Sequence, residues 1–280
     1  MSRSRPAPPA PEPLTPLIDS HTHLDACGAT DAESIRAIVD RAEAVGVRAV
    51  VTIADDLASA RWVTDAADAD PRVYGAVALH PTRVDVLTDE AKAVIERLAE
   101  HPRVVAVGET GMDMYWPGKL EGCADPATQR EAFAWHIDLA KRTGKPLMIH
   151  NRDADAAVLD VLRAEGAPDT VIFHCFSSDA EMARTCVAND WLLSLSGTVS
   201  FRNATALREA ASLIPSQQLL VETDAPFLTP HPYRGAPNEP YCLPYTVRAL
   251  AELLDRPAQD LAQETTSTAA RAYGLASCCP

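Results

Sequence analysis

Eight short runs rich in Val, Ile and Leu alternate with amphipathic segments from residue 17 onward, and this alternation constrains the fold more than any other feature of the chain. The runs are 17–19 (LID), 47–54 (VRAVVTIA), 73–79 (VYGAVAL), 103–109 (RVVAVGE), 146–150 (PLMIH), 170–176 (TVIFHCF), 191–197 (WLLSLSG) and 218–224 (QLLVETD). Between them lie stretches such as DAESIRAIVDRAEAVG and LTDEAKAVIERLAEH, several opened by Asp or Thr and several closed by Gly, as helix caps require. Strands alternating with helices imply parallel βα units, and eight units predict an α/β fold, the (β/α)8 TIM barrel, which about 250 residues suffice to build. Two more helical stretches, LPYTVRALAELL and RPAQDLAQETTSTAARAYG, follow the eighth run without a linker and are expected as extra C-terminal helices. One domain over residues 17–275 is therefore expected, with a disordered Pro-rich leader at 1–16 and a tail at 276–280.

Charge narrows the function. A formal net charge of −14 argues against a protein that coats nucleic acid through a broad basic surface, because neutralising phosphates takes clustered Lys and Arg. No window approaches the roughly 18 consecutive apolar residues of a membrane span, so no membrane partner is expected. The seven cysteines are odd in number and form no CxxC pair, which reads as reduced thiols in a cytoplasmic protein.

In a barrel of this kind the active site forms at the C-terminal ends of the strands. His21 and His23 stand at the end of the first run, His80 after the third, Glu109 at the end of the fourth, His150 of the fifth, His174 in the sixth and Asp224 at the end of the eighth. A lone histidine at a strand end is more often a hydrogen-bonded structural residue than a ligand. Here five of the eight histidines converge on one rim together with two carboxylates, which points to metal. His21 and His23, two apart, face the same way if the strand is regular. His21, His23, Glu109, His150, His174 and Asp224 exceed what one four-coordinate ion can use, so two divalent ions sharing Glu109 as a bridge are expected. Mg²⁺, Mn²⁺ and Zn²⁺ are the candidates, and four imidazoles favour the borderline ions among them.

Taken together, IDSHTHLD, GAVALHPTRV, VGETGMD, PLMIHNRDA, FHCFSS and VETDAPFLTPHPYRGAPNEP resemble the TatD family of metal-dependent deoxyribonucleases, amidohydrolase-like metal-dependent hydrolases, in order over residues 17 to about 275. The resemblance implies a barrel that cleaves phosphodiester bonds with divalent metals, typically as a 3′-to-5′ exonuclease on DNA and sometimes RNA. It further implies one metal on His21, His23, Glu109 and Asp224 and another on Glu109, His150 and His174. The chain departs from the family pattern at GETGMDMYW, where Gly-Glu-Ile-Gly-Leu-Asp-Tyr is usual, and at Ser178, where Gly is common. Both changes flank the site and bear on substrate preference.

Glu109, Asp224 and His80 are the expected catalytic groups, with Asp224 orienting the attacking water and accepting its proton and His80 contacting phosphate or assisting as an acid. Arg83, Arg152, Tyr233, Arg234 and Asn238 are the expected substrate contacts, on the grounds that guanidinium clamps phosphate oxygens and that phosphate sites often follow the eighth strand of such barrels. DNA ends or short single strands are the expected partners, with RNA or aminoacyl-tRNA as alternatives: an ester of D-aminoacyl-tRNA, or a small phosphoester, suits the same centre. The polymerase and histidinol phosphatase superfamily shares the DSHTH string, but no late Asp-x-His pair follows here. Amidohydrolases bridged by a carboxylated lysine are disfavoured, because Lys92, Lys119, Lys141 and Lys145 all lie away from the strand ends. A barrel holding metal only for stability would close its ligand shell, whereas ligands spread over five strands leave room for water.

Overall fold

In the computed structural model, which describes residues 5–275, strands and helices alternate throughout. The order is β1 (Leu17–Thr22), α1 (Ala32–Ala44), β2 (Val47–Ile53), α2 (Leu57–Ala69), β3 (Val73–Val77), α3 (Asp89–Ala99), β4 (Val104–Asp113), α4 (Pro126–Thr143), β5 (Leu147–Arg152), α5 (Asp155–Glu165), β6 (Val171–Phe173), α6 (Ala180–Ala188), β7 (Leu192–Leu195), α7 (Thr205–Ala211), β8 (Leu219–Val221), α8 (Leu243–Leu253) and α9 (Ala258–Tyr273). The strands lie in chain order in one sheet, each parallel to its predecessor. Asp31, Asp56, Thr88, Asp125 and Asp179 each accept a backbone N–H at a helix start, and Gly144 and Gly274 end α4 and α9 in the left-handed conformation. This is the expected TIM barrel; of the two expected extra C-terminal helices, α8 is the barrel's own eighth helix and only α9 is additional.

Polar contacts bring the eighth strand back to the first. The Asp224 N–H donates to the His21 carbonyl at 3.0 Å and the His23 N–H to the Ala225 carbonyl at 2.8 Å. One level below, the buried Asp19 carboxylate accepts from the Thr223 N–H at 2.9 Å and from its hydroxyl at 2.6 Å. The closure therefore ties the ends of β1 and β8 together where His21, His23 and Asp224 project.

Two cores follow from the alternation of side chains across each strand. One lies between sheet and helices, where Leu17, Val50, Val77 and Val107 meet Ile35, Val63, Ile95 and Phe133. The other fills the barrel with Ile18, Val51, Ile53, Met148, Ile172 and Leu220, and α9 adds Ala269, Ala270 and Tyr273 to it. The Tyr273 hydroxyl donates to the Ser20 carbonyl at 3.1 Å, while Thr266 and Thr268 of the same helix bond to the carbonyls of Pro16 and Ser216, just ahead of β1 and β8. Thus α9 is the floor of the barrel.

The Pro-rich segment expected to be loose is held from Pro8 to Leu14. Tyr241 and Tyr245 donate their hydroxyls to the carbonyls of Pro8 and Pro9 at 2.7 and 2.9 Å, Arg248 donates to Glu12 at 2.6 Å, and Leu14 is buried. A proline-rich stretch makes no hydrogen bonds within itself, so its carbonyls stay free for such donors. Residues 1–4 and the expected tail at 276–280, including Cys278 and Cys279, lie outside the described residues.

Candidate metal centre

Two bulges aim two of the central candidate ligands. Between Asp19 and Thr22, β1 takes three steps while β2 takes two, from Val50 to Thr52. Between Val107 and Thr110, β4 takes three steps while β5 takes two, from Leu147 to Ile149. Each strand thereby gains one residue and re-aims the side chains beside it, and these are the positions of His21 and Glu109. Gly108, next to Glu109, is required by packing, because a Cβ there would come 2.4 Å from the Cβ of Met148.

Four side chains then converge. Nε2 of His21 and Nε2 of His23 are 3.2 Å apart. Glu109 Oε1 lies 3.8 Å from the first and 3.7 Å from the second, and Asp224 Oδ1 lies 3.6 Å from both. Ligand atoms about 2.0–2.2 Å from a tetrahedral ion are ~3.3–3.6 Å apart, so this spacing fits a divalent ion in their midst. The other oxygen of Glu109, Oε2, lies 2.6 Å from His174 Nε2 and 3.3 Å from His150 Nδ1. It is buried and has no hydrogen-bond partner of acceptable geometry, as an oxygen reserved for a cation would be. The ligand atoms of His80, Glu109 and His150 also fall within 4.8 Å of one another, as do those of His21, His174 and Asp224. The two oxygens of Glu109 face separate histidine groups, so the residues fit the expected pair of ions bridged by Glu109.

Three carboxylates stand behind these histidines. Asp113 Oδ2 is 3.0 Å from His150 Nε2, Glu222 Oε1 is 3.4 Å from His174 Nδ1, and Asp55 Oδ1 is 3.7 Å from His23 Nδ1. A carboxylate on the outer nitrogen fixes the ring and raises its basicity as a ligand. Asp113 also accepts the N–H groups of Tyr115 and Trp116 at 2.9 Å, and Glu222 accepts that of Cys175 at 2.8 Å.

Electrostatics shows a site that gathers positive charge. Burial opposes protonation of His23, His150 and His174, yet the neighbouring carboxylates win: Asp224, Asp55 and Glu109 push His23 up to about 9, Asp113 and Glu109 raise His150, and Glu109 and Glu222 raise His174 well above its ordinary value. Burial likewise opposes ionisation of Glu109, and His174 and His150 hold it well below the usual carboxylate range. Burial and the neighbouring His174 push His21 well below its ordinary value, so one ring of the group stays a neutral donor. Burial also lifts Asp55 to about 6.

These side chains open into a cavity of about 600 Å³ whose walls include His80, Arg83, Trp116, Arg152, Asp224 and Phe227. His80 accepts the Thr82 N–H on Nδ1 at 3.2 Å, which leaves its proton on Nε2, and its ring centre lies 4.4 Å from that of His150. The Arg152 guanidinium stacks 4.1 Å from the Tyr115 ring centre and 5.3 Å from that of Trp116. Phe227 is 55% exposed, a large apolar side chain left in solvent beside His23. Asp224 sits at φ +51, in the left-handed region that few residues other than Gly adopt.

The remaining three expected substrate contacts do not line this cavity. Tyr233 packs its ring 5.0 Å from that of Tyr245, and the Arg234 guanidinium lies over the Phe201 ring at 4.5 Å. Asn238 is buried and donates to the carbonyls of Thr223 and Phe227 at 3.0 and 2.5 Å. Its amide satisfies the backbone of the loop that carries Phe227 instead of facing a ligand. Asp55, Asp113 and Glu222 are the residues that sequence reasoning missed.

The family model described as TatD related DNase matches residues 18–274. A Mycobacterium tuberculosis protein named an uncharacterized metal-dependent hydrolase TatD is 75% identical over 92% of this chain and 98% of its own length. An Erwinia tasmaniensis protein named a 3′-5′ ssDNA/RNA exonuclease TatD is 30% identical over 85% of this chain and 93% of its own. Among solved structures, the TatD homolog YJJV of Escherichia coli superposes with a TM-score of 0.82 at 25% identity, covering 92% of this chain and 98% of that one.

Proposed function

The chain belongs to the TatD related DNase family and is a metal-dependent hydrolase, and from that premise we propose that it cleaves phosphodiester bonds at the 3′ end of single-stranded DNA or RNA. The observation that carries the reading is the company kept by the metal centre. The half-buried Trp116 and the exposed Phe227 offer rings for base stacking, and Arg83 and Arg152 offer guanidinium groups for phosphate, around one cavity. The relative named as a single-strand exonuclease supports the same direction. The five described cysteines are free thiols, which supports a reducing, cytoplasmic setting, and no described helix is long and apolar enough to cross a membrane.

We assign His21, His23, Glu109 and Asp224 to one divalent ion and Glu109, His150 and His174 to the other. When bound, the ions supply Lewis acidity toward the phosphoryl oxygens and lower the pKa of water. The chain's own residues do the rest. Asp224, on the solvent side of His21 and His23, orients the attacking water and takes its proton. His80, neutral with its proton on Nε2, donates a hydrogen bond to a phosphate oxygen. This favours the contact role over the acid role, because burial and His150 push His80 down to about 3. Arg152, held flat against Tyr115, presents its remaining N–H groups to the phosphate.

The test is release of mononucleotides from 3′-labelled and 5′-labelled single strands by native protein and by Glu109→Ala, each after chelation and re-addition of Mg²⁺, Mn²⁺ or Zn²⁺. Cleavage from the 3′ end that the substitution abolishes is expected. Absence of cleavage by native protein with every metal overturns the reading.

A further inference from the structure

A second cavity, of about 400 Å³, lies beside the first and is lined by Ser200, Arg202, Arg208, His231, Tyr245 and Arg248. Three guanidiniums meet there in a chain of net charge −14, and among the described residues none of the three is within ion-pair distance of a carboxylate. Arg208 donates to the Val199 carbonyl at 3.3 Å and Arg248 to that of Glu12 at 2.6 Å, bonds that fix the side chains without neutralising them. The single acid on the lining is the exposed Glu252, which leaves two uncompensated positive charges. Six arginines elsewhere (Arg41, Arg48, Arg72, Arg142, Arg163 and Arg256) do pair with carboxylates, Arg72 alone with Asp40, Glu43 and Asp70.

One thin wall separates this cavity from the metal centre. The turn Gly197–Ser200 gives Thr198 to the first cavity and Ser200 to the second, and the loop after β8 gives Leu228 to the first and His231 to the second. The two segments are clamped together: the His231 N–H donates to Ser200 Oγ at 2.8 Å, and a Cβ on Gly197 would come 2.1 Å from the Leu228 carbonyl oxygen. Two residues of chain span at most ~7 Å, so Thr198 and Ser200 bring the cavities within reach of one short stretch of nucleic acid.

We propose that this second cavity binds a backbone phosphate of the strand whose end occupies the metal centre, with Arg202, Arg208 and Arg248 as the anion-binding groups. This assignment rests on the nucleic-acid reading above. It makes the acidic protein a strand binder at one local point, through a cluster of guanidiniums set next to the cutting site. Arg202 is the best reporter, because it is exposed and, among the described residues, its side chain has no hydrogen-bond or ion-pair partner that holds the fold.

The experiment uses metal-loaded, full-length protein and a fluorescent phosphorothioate oligothymidylate of twelve nucleotides, which resists cleavage. Affinity is measured by anisotropy at several salt concentrations, for native protein, Arg202→Ala and Arg202→Lys. For a single strand the slope of log K against log salt is about −0.7 per phosphate contact. Arg202→Ala is expected to weaken binding ~3- to 10-fold and to flatten the slope by about 0.7, while Arg202→Lys retains the native slope. Equal affinity and slope in native protein and Arg202→Ala overturn the assignment, and so does failure of native protein to bind. Cleavage of an ordinary strand is scored separately. A flattened slope without cleavage preserves the phosphate site and removes the nuclease reading, whereas cleavage with an unchanged slope removes only the site.

Discussion

Nε2 of His174 lies 2.6 Å from Oε2 of Glu109, the closest imidazole–carboxylate approach among the described residues, while Oε1 of the same carboxylate faces His21 and His23. Glu109 thus lies between two groups of histidine nitrogens. Glu109→Gln keeps the shape and removes the charge, and metal content measured by mass spectrometry is expected to fall for both ions together, with activity down at least ~100-fold. Loss of only one ion, or of neither, would show that Glu109 does not bridge.

Asp113 sits behind His150 at 3.0 Å and contributes no ligand of its own in the proposed assignment. In Asp113→Asn the side-chain oxygen still accepts the Tyr115 and Trp116 N–H groups, but the negative charge on the outer nitrogen is gone. Metal affinity, read by competition with a chromophoric chelator, is expected to drop ~10- to 100-fold at nearly unchanged melting temperature. Unchanged affinity would reduce Asp113 to a turn-former.

Trp116 and Phe227 act, in the proposed reading, on bases and not on the reacting phosphate. A stacked base is worth about 1–3 kcal/mol, so Phe227→Ala and Trp116→Ala are each expected to raise KM for a single strand at least ~5-fold. An aryl phosphodiester without a base serves as the control, and its KM is expected to stay within about twofold. Parallel losses on both substrates count against stacking.

His136 is wholly buried, accepts the Leu79 N–H on Nε2 at 3.3 Å and donates from Nδ1 to the Ala132 carbonyl at 2.7 Å. Burial pushes it down to about 4. The unfolded chain therefore takes up this proton first, near the ordinary value of 6.5, while the folded chain resists until about 4. Its stabilising contribution is complete above 6.5 and is lost as pH falls from there toward 4. Between pH 7 and 5 the loss is about 2 kcal/mol. Urea denaturation of native protein and His136→Gln at the two pH values reads it: the variant is expected to lose about 2 kcal/mol less than native protein, and parallel losses would assign the proton elsewhere.

The barrel and the convergence of the candidate ligands were legible because both are written as periodic patterns. Apolar runs at regular spacing define the strands, and a ligand at a run's end is a residue in a known place. The residues missed follow from where the runs were taken to stop. Reading the fourth run as ending at Glu109 hid Asp113, although β4 continues to it and an even offset of four keeps the two on one face of a regular strand. Glu222 stands two before Asp224 just past β8, and Asp55 is the first residue past the second run, so nearness to a run's end was the available signal. The loop HPYRGAPNEP offered no such period. Whether Asn238 turns to a ligand or to its own backbone depends on the unmet carbonyls of Thr223 and Phe227, which only the folded chain reveals.

The seal that α9 makes beneath the barrel, with Tyr273 reaching Ser20 and the interior packed solid above it, turns the molecule into a vessel with one mouth. In the proposed reading, the strand end and the piece cut from it then share the opening lined by Arg83, Trp116, Arg152 and Phe227. A strand read in this way advances by one unit only after the severed piece has left, so release of the fragment precedes each next cut.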